Sequence, residues 1–274
     1  MTLTLEALQQ KSILYRKTVL SIIKRANAGH TGGSLSCVDI LNVLYNHVLN
    51  VSPANFADPN RDRYIQSKGH SVEALYTVLA DQGFYPVEEL NTLNQYQSHF
   101  IGHPTRKVPG VEHNTGALGH GLPIAVGTAL AAKKDGRSFR VFTLLGDGEL
   151  EEGSNWEASM AAAHYKLDNL VVIVDYNKLQ ITGPIESVTA VTDLVQKFTA
   201  FGYAVREVNG NSIAELVAAF DTLPFATGKP NLILAHTVKG KGISFMENQV
   251  NWHHHVPTDA EYAAAMAELE RLGD

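Results

Sequence analysis

A single cysteine, Cys37, stands in the 274 residues, so no internal disulfide can form. Its setting, SLSCVDILNVLYNHVL, reads as the opening of a helix around a small packed thiol and not as a nucleophile. No apolar run approaches twenty residues, which argues against a membrane-spanning helix. The amino terminus, MTLTLEALQQKSILYRK, lacks the short hydrophobic core of a secretory signal, and a cytoplasmic location is expected. Basic residues are too few for a nucleic-acid footprint: 22 Lys and Arg face 28 Asp and Glu, a formal charge of −6. An anionic ligand would have to be held by local groups and a metal. Repeats and low-complexity stretches are also missing.

What remains is an alternation of patterns over a length that suits one large domain, 1–274, with ample material for a core. Amphipathic stretches predict helices at about 5–27, 37–48, 69–83, 120–135, 154–166, 211–223 and 258–272. RYIQS, FRVFTLL, LVVIVDY, YAVREV and NLILAHTV are short, β-branched and bounded by turn residues. Together they predict an α/β fold, a mostly parallel sheet covered by helices on both faces. The long segment from Gln95 to Gly121 lacks a pattern of its own, and function is expected in it.

Two strand ends carry the chemistry. Gly146-Asp147-Gly148 follows the apolar run ending at Leu145, and Asn177 closes the run Leu170 to Tyr176, thirty positions on. A bare GDG is also what a tight turn looks like. In a βαβ unit, however, ligands gather beyond the strand carboxyl ends, where Asp147 and Asn177 would meet. A charged and a neutral oxygen suit a hard cation, magnesium by default with calcium or manganese tolerated. Gly146 and Gly148 let backbone amides approach an anion, helped by a helix starting near Gly153. Calcium binding of the EF-hand kind fails on Asp147, Glu149, Glu151 and Glu152, because the alternating ligands and closing Glu are missing. Of the 12 histidines, His47 and His164 look ordinary, whereas His30, His70, His103 and His120 lie in glycine-rich turns. The run His253-His254-His255 is also a possible surface site for a transition metal.

The segment GDGELEEGSNWEASMAAAHYKLDNLVVIVDYNKLQITG resembles the thiamine diphosphate motif of transketolases over its whole length. GHTGGS at 29–34, SKGH at 67–70, GHP at 102–104, TGALGHG at 115–121 and KGKGISFMENQVNWH at 239–253 agree in order and spacing. The resemblance implies the thiamine diphosphate-binding fold. It implies Asp147, Asn177 and the Leu179 carbonyl as metal ligands. Also implied are His70, Gly116, Ala117, Leu118, Gly148, Asn177, Lys239 and His253 around the cofactor, and His30, His103 and His253 facing the sugar and the reacting carbon. A neutral imidazole suits that last role, since it donates, accepts and moves a proton near neutral pH.

The implied reaction moves a two-carbon ketol unit from a ketose phosphate to an aldose phosphate, in the pentose phosphate part of carbohydrate metabolism. Transketolases continue into a pyrimidine-binding and a third domain, which this sequence does not contain. The expectation is therefore a split enzyme, with a separate subunit supplying the pyrimidine side in a heterotetramer. Met1 and the acidic helical end weaken the alternative of a domain cut from a longer enzyme. Two departures, His120 for the commoner Gln and His254 for the commoner Gly, bear on substrate preference more than on cofactor binding. The other readings are a transketolase-like chain for an unusual pentulose phosphate, a deoxyxylulose phosphate synthase-like enzyme and a non-catalytic cofactor-binding subunit. The α chain of 2-oxo-acid dehydrogenases is disfavoured by the set of histidines.

Overall fold

The computed structural model describes residues 3–189 and 193–273. Five strands, β1 (Arg63–Gln66), β2 (Val141–Gly146), β3 (Leu170–Tyr176), β6 (Ala204–Asn209) and β7 (Asn231–His236), form one sheet in the order β1-β2-β3-β7-β6. Every neighbouring pair is parallel, with Gly146 opposite Asp175 and Tyr176 opposite His236 at the carboxyl ends. Between β3 and β6 lies a two-stranded antiparallel ladder, β4 (Leu179–Gln180) with β5 (Gly183–Pro184). The helices are α1 (Leu5–Ala26), α2 (Thr31–Ser36), α3 (Val38–Val43), α4 (Val72–Asp81), α5 (Gly121–Lys134) and α6 (Gly153–His164), followed by α7 (Ile185–Val188), α8 (Leu194–Ala200), α9 (Ile213–Phe220) and α10 (Asp259–Gly273).

Strand periodicity sorts the core into two layers. Phe142, Leu144, Val171, Ile173, Ile233 and Ala235 pack with α1, α3, α4 and α9 on one face. Val141, Leu145, Leu170, Val172, Val174, Leu232 and Leu234 pack with α5, α6 and α8 on the other. Each such side chain contributes about 1.5–3 kcal/mol on full burial. Burial on both faces is why β2 and β3 read as unbroken apolar runs. Local signals fix the long first helix: Thr4 accepts from the Ala7 amide at its start, and Asn27 ends it in the left-handed conformation at φ 49°.

All five predicted strands are present, and seven predicted helices are found within a few residues, with two corrections. Residues 29–34, read as a glycine-rich turn, contain α2, whose six residues are all buried. The helix expected over 37–48 is α3 running into a π-helical turn from Leu44 to Val48. No helix among the described residues is long and apolar enough to cross a membrane.

Cys37 is fully buried between α2 and α3, and burial pushes its thiol up to about 11. An aromatic disulfide reagent should therefore leave the native chain unmodified and titrate one thiol after denaturation. Rapid labelling of native protein would contradict the packing role.

Candidate active site

Every strand that borders the site ends at the same place. β1 runs into Ser67-Lys68-Gly69-His70, β2 into Asp147-Gly148, β3 into Asn177, and β7 into Thr237-Val238-Lys239. The loop between α4 and α5 brings His103, Gly116 and Leu118 across these ends, and His30 joins from the start of α2. A cavity of about 260 Å³ opens there. Eleven of the twelve site residues singled out in the sequence line it; Ala117, between two of them, has an exposed side chain and does not.

The floor is acidic and dry. Asp147 is buried, accepting from the Gly148 amide at 2.8 Å through Oδ1 and from the Lys178 amide through Oδ2. Burial, with the charge of Asp175 nearby, pushes its carboxyl up to about 6. It has no ion-pair partner among the described residues, so a carboxylate is held in an apolar setting without a cation beside it. Asn177 lies on the next strand end, its Oδ1 accepting from the Leu179 amide at 3.1 Å, and the Leu179 carbonyl borders the same cavity. An ionised, an amide and a backbone oxygen form a donor set that fits a hard divalent cation.

Lys239, 1% exposed, donates from Nζ to the Leu179 carbonyl at 3.1 Å and lies 2.9 Å from His253 Nδ1. Burial and the neighbouring Lys68 charge lower it to about 8. The backbone gives way where it must: Gly116 takes φ +142°, and a Cβ there would come within 3.0 Å of His103 Cδ2.

Above the floor the imidazoles gather. The His30 ring is 5.4 Å from His70, 5.9 Å from His103, 5.6 Å from His253 and 4.3 Å from His254, centroid to centroid. Burial, then the charges of His254 and His103, would disfavour a proton on His30 and lower it to about 3. His253 is lowered to about 3 by burial and Lys239; His70 and His103 are lowered too, chiefly by burial. These rings are neutral at physiological pH. Each can donate at one nitrogen and accept at the other.

Sequence reasoning overlooked the frame behind these groups. Glu73, fully buried and with its carboxyl raised by burial, accepts from the His30 backbone amide at 3.2 Å and the Ser34 hydroxyl at 2.6 Å. Glu149, also buried, accepts from the Ser67 hydroxyl, the Gly119 amide at 2.9 Å and the Gly146 amide at 3.0 Å. Asp175 accepts from Lys68, Ser36 and Thr237. The one visible signal was a carboxylate closing an otherwise apolar strand, LVVIVDY. His120 stays outside the cavity, exposed, its Nδ1 3.0 Å from the Leu118 carbonyl.

Residues 9–270 match the family model described as transketolase, thiamine diphosphate binding domain. The chain belongs to the transketolase family. One of the two subunits of apulose-4-phosphate transketolase from Phocaeicola vulgatus is 46% identical over 97% of this chain and 95% of its own. The 6-deoxy-6-sulfo-D-fructose transketolase subunit of Clostridium sp. is 40% identical over 97% of each. Among solved structures, transketolase from Campylobacter jejuni superposes with a TM-score of 0.86 at 32% identity, covering 100% of this chain and 47% of that one. The cavity therefore lies in the thiamine diphosphate-binding domain of a transketolase, and its basic, amide and glycine groups beside an unpaired carboxylate fit a metal-bound diphosphate.

Proposed function

We propose that this chain is the diphosphate-binding subunit of a split transketolase, transferring a two-carbon ketol unit between sugar phosphates together with a separate pyrimidine-domain subunit. The observation that carries the reading is one cavity holding both halves of the requirement. Its floor has an unpaired buried carboxylate with neutral oxygens beside it, and its walls carry neutral imidazoles. Support for the split form comes from relatives named as transketolase subunits that match this chain over nearly their full length.

Asp147, Asn177 and the Leu179 carbonyl would hold magnesium. His70, the Gly116-Ala117-Leu118 backbone, the Gly148 amide, Lys239 and His253 would hold the diphosphate. Bound thiamine diphosphate supplies the nucleophile that makes a carbon–carbon bond beside a ketose carbonyl breakable. The chain's own share is orientation and proton movement: His30, His103 and His253 meet sugar hydroxyls and carry protons to and from oxygen. Neutral rings are what that task needs, because an imidazolium could not accept.

A second reading concerns the sugar. Relatives of nearly equal length are named for apulose 4-phosphate and 6-deoxy-6-sulfofructose, and His254 stands at the mouth of the cavity where transketolases commonly carry Gly. An unusual ketose is thus a donor to be tested beside xylulose 5-phosphate.

The deciding experiment is ketol transfer to an aldose phosphate with thiamine diphosphate and magnesium, for the chain alone and for tagged chain recovered with its native companion. Activity confined to the complex is expected. Failure of both preparations to bind the cofactor would overturn the reading. Within the active complex, His103→Ala should lower kcat by about 100-fold, the scale of one positioned proton-transfer group, while cofactor affinity is retained. Normal kcat at saturating cofactor would remove His103 from that role.

A further inference from the structure

The run His253-His254-His255 does not act as a unit. His255 turns away, its Nε2 3.0 Å from Glu261 and its ring packed on Trp252 at 4.4 Å. His254 instead folds toward the cavity, 4.3 Å from the His30 ring and 4.7 Å from the His253 ring. One nitrogen from each of His30, His253 and His254 lies within 4.8 Å of the others. His30 is far from the other two along the chain, so the cluster is a product of the fold and not of local sequence.

We infer that His30, His253 and His254 form a site for a borderline transition-metal dication of the zinc class at the mouth of the cavity, and that its occupancy shuts out the sugar phosphate. The second clause rests on the transketolase reading; the first does not. Three imidazoles are a ligand set that suits zinc, cobalt, nickel or copper and not magnesium. The oxygen set on the floor has the opposite preference, so the two sites would sort cations by hardness.

Geometry allows closure. With zinc–nitrogen bonds of about 2.0–2.1 Å, tetrahedral ligand nitrogens lie about 3.3 Å apart. The separation of up to 4.8 Å needs only a ring rotation, and His254 is exposed and free to make it. His30 Nδ1 is buried with no hydrogen-bond partner among the described residues. His253 uses Nδ1 on Lys239, which leaves Nε2. A metal at Nε2 places the ring hydrogen on Nδ1, with the Lys239 amine as its acceptor and one proton released to solvent. Such a second bond from a ligating imidazole orients the ring toward the metal. Water would complete the fourth position.

Titration calorimetry of the full chain with zinc chloride, in excess magnesium so that the oxygen site is already filled, tests the first clause. One zinc per chain is expected. His254→Gly should weaken it by about tenfold or more, as loss of one ligand requires, and so should His254→Gln. His255→Ala, a neighbour in sequence outside the cluster, should leave it unchanged. No saturable binding, or equal weakening by His255→Ala, would overturn the site, as would an unchanged His254→Gly. In the active complex, zinc should inhibit competitively with the donor sugar, and His254→Gly should resist by the same factor. Stoichiometric binding without inhibition would overturn the exclusion clause. A complex with no ketol transfer at all would count against the transketolase reading, while the binding data still decide the metal site.

Discussion

Asp147→Asn should abolish magnesium-dependent thiamine diphosphate binding while leaving the metal-free chain folded. Replacing a buried charged partner of an ion costs about 3–5 kcal/mol. That is about two to four orders of magnitude in Kd. Stability should move little, because two effects oppose each other. The rise of the Asp147 carboxyl from 3.8 to about 6 means that the folded chain holds a proton which the unfolded chain has lost across that interval. Stability therefore falls as pH rises through it, and above pH 6 the full penalty of about 3 kcal/mol is present in the metal-free state. Asn removes that penalty. It also turns an amide NH₂ toward one of the two backbone amides that now donate to Asp147, Gly148 or Lys178, at about 1–3 kcal/mol. Calorimetry of cofactor binding with and without magnesium, beside a thermal melt of the apo chain, separates the outcomes. Binding lost with the melt unchanged supports a metal ligand. A large fall in both would make Asp147 a structural residue, and retained binding would remove it from the metal site.

How much of this was legible in the sequence depended on whether the signal was local. β2 and β3 announced themselves as apolar runs because both of their faces are buried. Asp147 and Asn177 could be placed together because a parallel sheet puts strand carboxyl ends side by side, as the pairing of Gly146 with Asp175 does. The GHTGGS segment misled, since two glycines lower helix propensity by about 1 kcal/mol each while tertiary packing buries all of α2. Glu73 and Glu149 sit in amphipathic or turn sequence where an acidic residue normally faces water. Nothing local marks them as buried; their partners, His30 and Gly119, are 43 and 30 positions away. The histidine run was visible, but its division between His254 and His255 arises from contacts with His30 and Glu261 that no local pattern encodes.

Asp175→Ala is expected to be the most destabilising single change beneath the cavity. Asp175 is fully buried, and its carboxylate accepts from Lys68, itself 1% exposed, and from the hydroxyls of Ser36 and Thr237. Those three partners belong to the end of β1, to α2 and to the segment after β7, so one side chain ties together three of the elements that carry His70, His30 and Lys239. Truncation leaves the Lys68 ammonium buried beside only the Gly33 carbonyl, at 3.1 Å. Burial opposes that charge, and Asp175 is what holds Lys68 above its ordinary value. Breaking one partner out of a buried pair costs about 3–5 kcal/mol. For a domain of this size that is a fall of roughly 6–20 °C in Tm. Lys68→Met combined with Asp175→Ala should recover most of the loss, because an apolar pair of similar volume carries no stranded charge. A double-mutant cycle by thermal or denaturant unfolding reads the coupling directly. Additive losses would mean that Asp175 acts through Ser36 and Thr237 alone. A recovered double variant that folds yet binds cofactor weakly would show the pair setting the strand ends in register for the site, a task distinct from stability.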